Sequence, residues 1–294
     1  MQQRVLGQSK LRVSAIGLGG MPLSIANRPS EKQSIEVICA AIDAGIRFID
    51  TANVYCLNNN DIGHNERLIG KALKAWGGTE RIVVATKGGL ERPGGEWTRN
   101  ASPKHLRAAC EGSLRALNTE SIDLYQLHAP DPKVPFADSV GALAKLKEEG
   151  KIRYIGLSNV NVEQLQIASQ ITKFVSVQNR CSPFHLAAFR DGVFRYCDRN
   201  DISFLPYSPV GGSRGKSRVS SNLHLIKIGH RMGASPFEVV LAWLLQISPI
   251  MVPIPGASKV QNARSSARAA DITLSPEDIV HMNRLFLNSP TLKI

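Results

Sequence analysis

At 294 residues and 43% apolar content the chain has material for one sizeable core, and α/β barrels of this length are routinely single domains. The formal charge of +12 favours anionic ligands, but the lysines and arginines are scattered and no basic stretch carries interleaved aromatics, which argues against nucleic acid as a partner. Five cysteines without a CxxC pair read as reduced thiols of a cytoplasmic protein. No secretory leader is expected, because the first 20 residues hold no continuous apolar stretch, and no membrane span, because the longest uncharged run, residues 239 to 258, is broken by Gln246 and three prolines.

Residues 3 to 14 suit a short β-hairpin. After it, eight β-type runs follow in order: SAIGLGG (14–20), IRFID (46–50), RIVVATK (81–87), IDLYQLH (122–128), RYIGLSN (153–159), FVSVQN (174–179), ISFLPYS (202–208) and MVPIPGAS (251–258). Most are apolar through the middle, as strands buried on both faces must be. Helical patterns separate them. Ser102-Pro103, Ser235-Pro236 and Ser275-Pro276 each offer a hydroxyl N-cap with proline at the first helical position. Gly45 and Gly150 sit where helices end just before a strand. With no linker or composition break, the alternation predicts one domain over residues 1–294, a (β/α)8 TIM barrel with a short N-terminal β-hairpin. An open doubly wound sheet fits less well, since Pro22 occupies the last glycine position of a GxGxxG fingerprint.

In a barrel the carboxyl ends of the strands share one rim, where chemistry collects. Here those ends carry Gly19-Gly20, Asp50, Lys87, His128, Ser158-Asn159, Gln178-Asn179, Tyr207-Ser208 and Gly256–Ser258. Caps and solvated surface explain some polar ends. They explain less well an acid, a lysine and a histidine on three successive strands. Asp50 and Lys87 can pair, the ammonium can lower the pKa of nearby Tyr55, and His128 can hold a carbonyl oxygen. Such a group can protonate an oxyanion, but the hydride of a carbonyl reduction must come from a cofactor.

The pieces FIDTANVY, VVATKGG, IDLYQLHAPDP, KIRYIGLSN, SVQNRCSPF, PYSPVGG and PIPGASK, in this order along nearly the whole chain, resemble the aldo-keto reductases. The resemblance implies a (β/α)8 barrel that binds NADPH, or NADH, without a Rossmann domain. It implies a catalytic tetrad of Asp50, Tyr55, Lys87 and His128, with Tyr55 as the general acid in the reduction of an aldehyde or ketone by the cofactor's hydride. Cofactor contacts are implied for Gly20, Met21, Asp50, Ser158, Asn159, Gln178, Tyr207, Ser208, Val210, Gly212, Gly256, Ser258, Lys259 and Asn262. Ser158, Asn159 and Gln178 would hold the carboxamide, Tyr207 would stack on the nicotinamide, and the SPVGG segment would wrap the pyrophosphate. Ser265 and Ser266 depart from the Glu-Asn pair usual in relatives, which bears on NADPH against NADH. A cofactor-binding regulatory subunit is the alternative, since potassium-channel β subunits share this fold and much of the tetrad.

No metal site is expected, as the remaining histidines lack ligand spacing. Cys56 reads as a small semi-buried side chain rather than a reactive thiol. Trp97 lies in a long loop that is a candidate pocket wall. Asn179 and Phe184 either face the pocket or pack, and Asp123 and Arg153 suit a structural pair at the opposite rim. Loops 88–101 and 129–137 and the C-terminal FLNSPTLKI are expected to shape a pocket for a small carbonyl compound.

Overall fold

The computed structural model describes residues 1–288, apart from the side chains of residues 213 and 214; the end of the FLNSPTLKI stretch, residues 289–294, lies outside the described residues. A hairpin comes first, β1 (Gln3–Val5) against β2 (Arg12–Ser14), with Gln3 opposite Ser14. Then follow β3 (Leu18–Gly19), α1 (Glu31–Asp43), β4 (Phe48–Asp50), α2 (His64–Trp76) and β5 (Val83–Gly88). A second hairpin, β6 (Leu90–Glu91) with β7 (Thr98–Arg99), precedes α3 (Pro103–Leu117), β8 (Ile122–Leu127), α4 (Phe136–Glu148), β9 (Ile152–Ser158) and α5 (Val162–Ile171). The chain continues through β10 (Ser176–Gln178), α6 (Ala187–Arg190), α7 (Val193–Arg199), β11 (Ser203–Phe204), α8 (Gly212–Ser220) and α9 (Leu223–Met232). It ends with α10 (Pro236–Ile247), α11 (Val260–Arg268) and α12 (Pro276–Met282).

Seven strands form one parallel sheet in the order β11-β10-β9-β8-β5-β4-β3. Residues 251–256 supply the eighth, bridging Phe204 and Tyr207 on one side and Gly19 on the other, so the expected barrel closes. That closure is lopsided. Val252 and Ile254 donate to the carbonyls of Phe204 and Pro206, whereas on the β3 side Pro253 and Pro255 have no N–H and only accept, from Gly17 and Gly19. Gly19 is required there, because a Cβ would lie 2.8 Å from the Ile254 carbonyl oxygen.

The helix signals act where expected. Ser102, Ser235 and Ser275 accept from the backbone of His105, Glu238 and Asp278, and Gly45 and Gly150 take positive φ. Inside the barrel Phe48, Val83, Leu124, Val175, Leu205 and Val252 cluster with Leu6, Leu11 and Val13, so the N-terminal hairpin plugs one end. Outward-facing Tyr125, Leu127, Ile155 and Leu157 pack against the helices, in the same cluster as Leu143, Leu165, Phe194 and Trp243.

At the plugged end Asp123 pairs with Arg153 as expected, and also with Arg81 at 2.7 Å. A basic cleft of about 540 Å³ opens there, lined by Lys10, Arg12, Arg47 and Arg81, of which Arg47 is engaged by Glu80 and Arg81 by Asp123. The five cysteines are free thiols, and no described helix is long and apolar enough to cross a membrane.

Arg4 locks the plug. Its guanidinium donates to the carbonyls of Leu245 at 2.6 Å and Ser248 at 3.0 Å, acceptors left at the end of α10, and to that of Met251 where the eighth strand begins. Burial lowers its pKa to about 10, still high enough to keep the charge at neutral pH. Replacement of Arg4 by Met is expected to cost about 1.5–3 kcal/mol in denaturant unfolding, the range for hydrogen bonds to a charged group. Its midpoint should fall with an unchanged slope.

Candidate active site

Side chains alternate along strands, so Asp50 on β4 and Lys87 on β5 both point into the barrel near its carboxyl rim. Lys87 is fully enclosed, at 0% exposure. Its ammonium has three donors and three acceptors: Asp50 Oδ2 at 2.6 Å, the Thr51 carbonyl at 2.8 Å and the Tyr55 hydroxyl at 3.0 Å. The second oxygen of Asp50 accepts from Gln178 Nε2 at 2.7 Å and Gln126 Nε2 at 3.1 Å. Every charged atom in this pocket is therefore met by protein.

Because Lys87 donates to Tyr55, the phenol oxygen is an acceptor in that bond and its own proton is free to point elsewhere. The sequence alone suggests a phenol acidified by the ammonium. In the structure burial dominates and, with the charge of Asp50, holds the Tyr55 pKa well above its usual value. Burial likewise lowers the pKa of Lys87, against the pull of Asp50. His128 follows β8 and is buried, and burial together with the Lys87 charge depresses its pKa, so the ring is neutral at neutral pH. Its Nδ1 is enclosed and has no hydrogen-bond partner among the described residues. An enclosed N–H without an acceptor is the costlier arrangement, so we assign the proton to Nε2.

Three rings meet edge to face around this point. Tyr55 and His128 have centroids 5.8 Å apart, and Trp97 stands 6.4 Å from each. Trp97, 46% exposed, is carried by the β6–β7 hairpin and lies 4.0 Å above the Arg92 guanidinium, which also donates to the Leu57 carbonyl. The long loop after Lys87 thus has a framework that brings Trp97 to the rim.

A second group adjoins the first. Ser158 donates to the Gln178 carbonyl, while the Asn159 amide donates to the His128 carbonyl at 2.9 Å and accepts from the Tyr207 hydroxyl at 3.0 Å. Asn159 and Ser208 both adopt positive φ at their strand ends. Gly20 donates to the Asp50 carbonyl and is followed by exposed Met21, while Gly19 bridges to Gly256. Val210 precedes Gly211, the N-cap of α8, and Gly212 begins that helix. Ser258, Lys259 and Asn262 are exposed around the start of α11. Both helices lack a side-chain cap and an acid in the first turn; among described helices of nine or more residues only these two combine the features. Their free N–H groups suit anions.

Gln178 lies against Asp50, and Asn179 bonds to the backbone of Val160. Phe184 packs on Phe286 beneath Arg218. Burial raises the Cys56 thiol to about 11, which agrees with an inert side chain. Among the described residues no group of three or more potential ligands is placed to hold a metal. Gln126 was missed by the sequence reading, although it lies two residues before His128 and so shares its inward face. Thr51, Asn65, Glu66 and Arg92 carry no local signal of their partners.

Comparison with known proteins agrees with this architecture. The profile described as Aldo/keto reductase family matches residues 15–285. An uncharacterized oxidoreductase of Schizosaccharomyces pombe is 36% identical over 271 residues, which span 90% of this chain and 84% of the relative. A thermostable aldo-keto reductase, Tm1743, solved with the inhibitor epalrestat, superposes with a TM-score of 0.81 at 29% identity, covering 97% of this chain and all of that one. An aldo/keto reductase from Klebsiella pneumoniae, solved with NADP and acetate, gives a TM-score of 0.81 at 26% identity, over all of this chain and 98% of its own. The chain belongs to the aldo-keto reductase family of oxidoreductases.

Proposed function

We propose that this protein reduces an aldehyde or ketone to the alcohol with NADPH, Tyr55 serving as general acid. The observation that carries the reading is the bond from Lys87 to Tyr55. With the three ammonium donors assigned, the phenol must offer its own proton to something else, and His128 and Trp97 flank that side.

The uncapped starts of α8 and α11 fit a dinucleotide with phosphates at two points. The pyrophosphate would lie by Ser208, Val210 and Gly212, and a 2′-phosphate by Ser258, Lys259 and Asn262. Gly256 precedes α11, with Gly20 and Met21 at the adjoining end of β3, and Ser158, Asn159, Gln178 and Tyr207 stand beside the tetrad. Exposed Lys259 favours NADPH over NADH, and the cofactor of the Klebsiella pneumoniae neighbour supports the same choice. When bound, the cofactor supplies hydride to the carbonyl carbon.

The chain's own residues do the rest. His128 donates from Nε2 to the carbonyl oxygen and orients it. Tyr55 passes its proton to that oxygen as negative charge develops there. Lys87, 3.0 Å away, stabilises the phenolate left behind, and Asp50 keeps the ammonium in place. Trp97 covers one side and limits water. This wall is aromatic, which suits a small carbonyl compound with an apolar portion.

Loss of NADPH absorbance with a panel of aldehydes should reveal turnover. Substitution of Tyr55 by Phe should reduce it about 10²–10⁴-fold while cofactor affinity is kept. A Tyr55→Phe protein as active as wild type would sink the mechanism, and bound cofactor without any turnover would favour a regulatory role. The pH dependence follows from the two buried groups. Reduction needs protonated Tyr55, whose pKa is raised, and neutral His128, whose pKa is depressed. Reductive kcat/KM should therefore stay flat from about pH 6 to 8 and fall only in alkali, while alcohol oxidation, which needs the phenolate, should climb with pH. A reductive optimum confined to a narrow band near neutrality would contradict this.

A further inference from the structure

Asp50 and Lys87 face the barrel interior, and their chain neighbours Thr51 and Thr86 face outward, as strand alternation requires. Both threonines meet the first turn of α2. The Thr51 hydroxyl donates to Asn65 Oδ1 at 2.6 Å, and the Thr86 hydroxyl donates to Glu66 Oε1 at 2.5 Å. Asn65 also donates through Nδ2 to the Gly20 carbonyl at 2.9 Å and to Ser24 Oγ at 2.7 Å. Asn65, Glu66, Thr51 and Thr86 are all fully enclosed. One helical turn therefore grips the ends of β3, β4 and β5 from behind.

The contact is tight as well as polar. A Cβ on Gly20 would lie 2.4 Å from Asn65 Oδ1, so strand end and helix cannot drift independently. A helix needs no such bonds merely to pack on a sheet, and Leu68, Ile69 and Ala72 already bury the apolar side of α2. Hydrophobic contact is non-directional, whereas a buried hydrogen bond fixes position and is costly to leave unmade. The Thr51 carbonyl is itself one of the three acceptors of Lys87. A shift of that peptide would leave an ammonium donor unmet and turn the others.

We propose that Asn65 and Glu66 are positioning residues which, through Thr51 and Thr86, aim the Lys87 ammonium at Tyr55. The inference rests on the reading of Lys87 and Tyr55 as the acid–base pair. The catalytic side chains are thus held twice: among themselves inside the barrel, and by α2 outside it.

Thr51→Val and Thr86→Val remove the two hydroxyls at nearly constant shape, and the serine versions restore them. Each valine variant, folded by circular dichroism, should lose about tenfold or more in kcat, since small displacements of a reacting group are costly. NADPH affinity, read from tryptophan fluorescence, should change by less than about twofold, because neither threonine is assigned to the cofactor. Serine should return most of the kcat. The independent readout is the Tyr55 Cζ resonance in protein labelled with ¹³C-tyrosine, assigned through Tyr55→Phe. It should move in the valine variants and return in the serine ones. If a valine variant does not fold, alanine at the same position carries the same prediction.

Wild-type kcat with an unmoved Tyr55 resonance in the valine variants, or a loss that serine does not restore, would overturn the proposal. If wild-type protein turns over no carbonyl compound, the acid–base reading fails, and the Tyr55 resonance alone decides whether α2 sets the Lys87–Tyr55 contact.

Discussion

An ammonium with no access to water constrains everything around it. Removing such an ion from solvent costs several kcal/mol even after relaxation, and the cost is offset only by well-aimed partners. Lys87 finds three, a carboxylate, a peptide carbonyl and a phenol, which fixes Asp50, Thr51 and Tyr55 relative to one another. The free oxygen of Asp50 then draws in Gln126 from β8 and Gln178 from β10. One charge on β5 thereby ties four strands together at the carboxyl rim. Few other arrangements of those strand ends would leave the ion satisfied.

The same burial assigns protonation states without any need for fine tuning. It keeps the phenol protonated and the imidazole neutral, so both groups enter as hydrogen-bond donors. In the proposed reduction charge would appear on them only as a proton moves, and at that moment Lys87 would already be in position. Preorganisation of this kind avoids reorganisation during reaction, which is where electrostatic catalysis gains most. The aromatic edges of Tyr55, His128 and Trp97 bound the cleft beside them.

How much was legible in the sequence depended on whether the signal was local. Serine-proline starts, glycine ends and apolar strand centres are local, and the barrel, its hairpin and its helix caps could be read from them. The gathering of Asp50, Lys87 and His128 followed from fold class plus position at strand ends. Gln126 was within reach of the same reasoning through its two-residue spacing from His128. The bonds of Arg4 to α10 and of Asn65 to Thr51 were not, since they join segments whose approach depends on the packed whole. Two-residue strands such as β6 and β7 lie below the length at which periodicity can be recognised. The direction of the Tyr55 shift was missed because a sequence displays charge but not depth of burial, and depth dominated.

The prolines that close the barrel give its wall a direction of weakness. On the seam between β3 and residues 251–256, Pro253 and Pro255 accept hydrogen bonds and donate none. Proline also restricts the unfolded chain, so this segment surrenders less entropy on joining the sheet and holds its place with fewer bonds. Amide exchange should find its earliest barrel-wide opening along this line rather than at the densely paired β8–β9 edge. Any ligand spanning Gly20 and Gly256 would lie across the seam like a suture. Part of its affinity would then be spent on holding the cylinder shut, and retarded exchange at Gly17 and Gly19 would report its arrival.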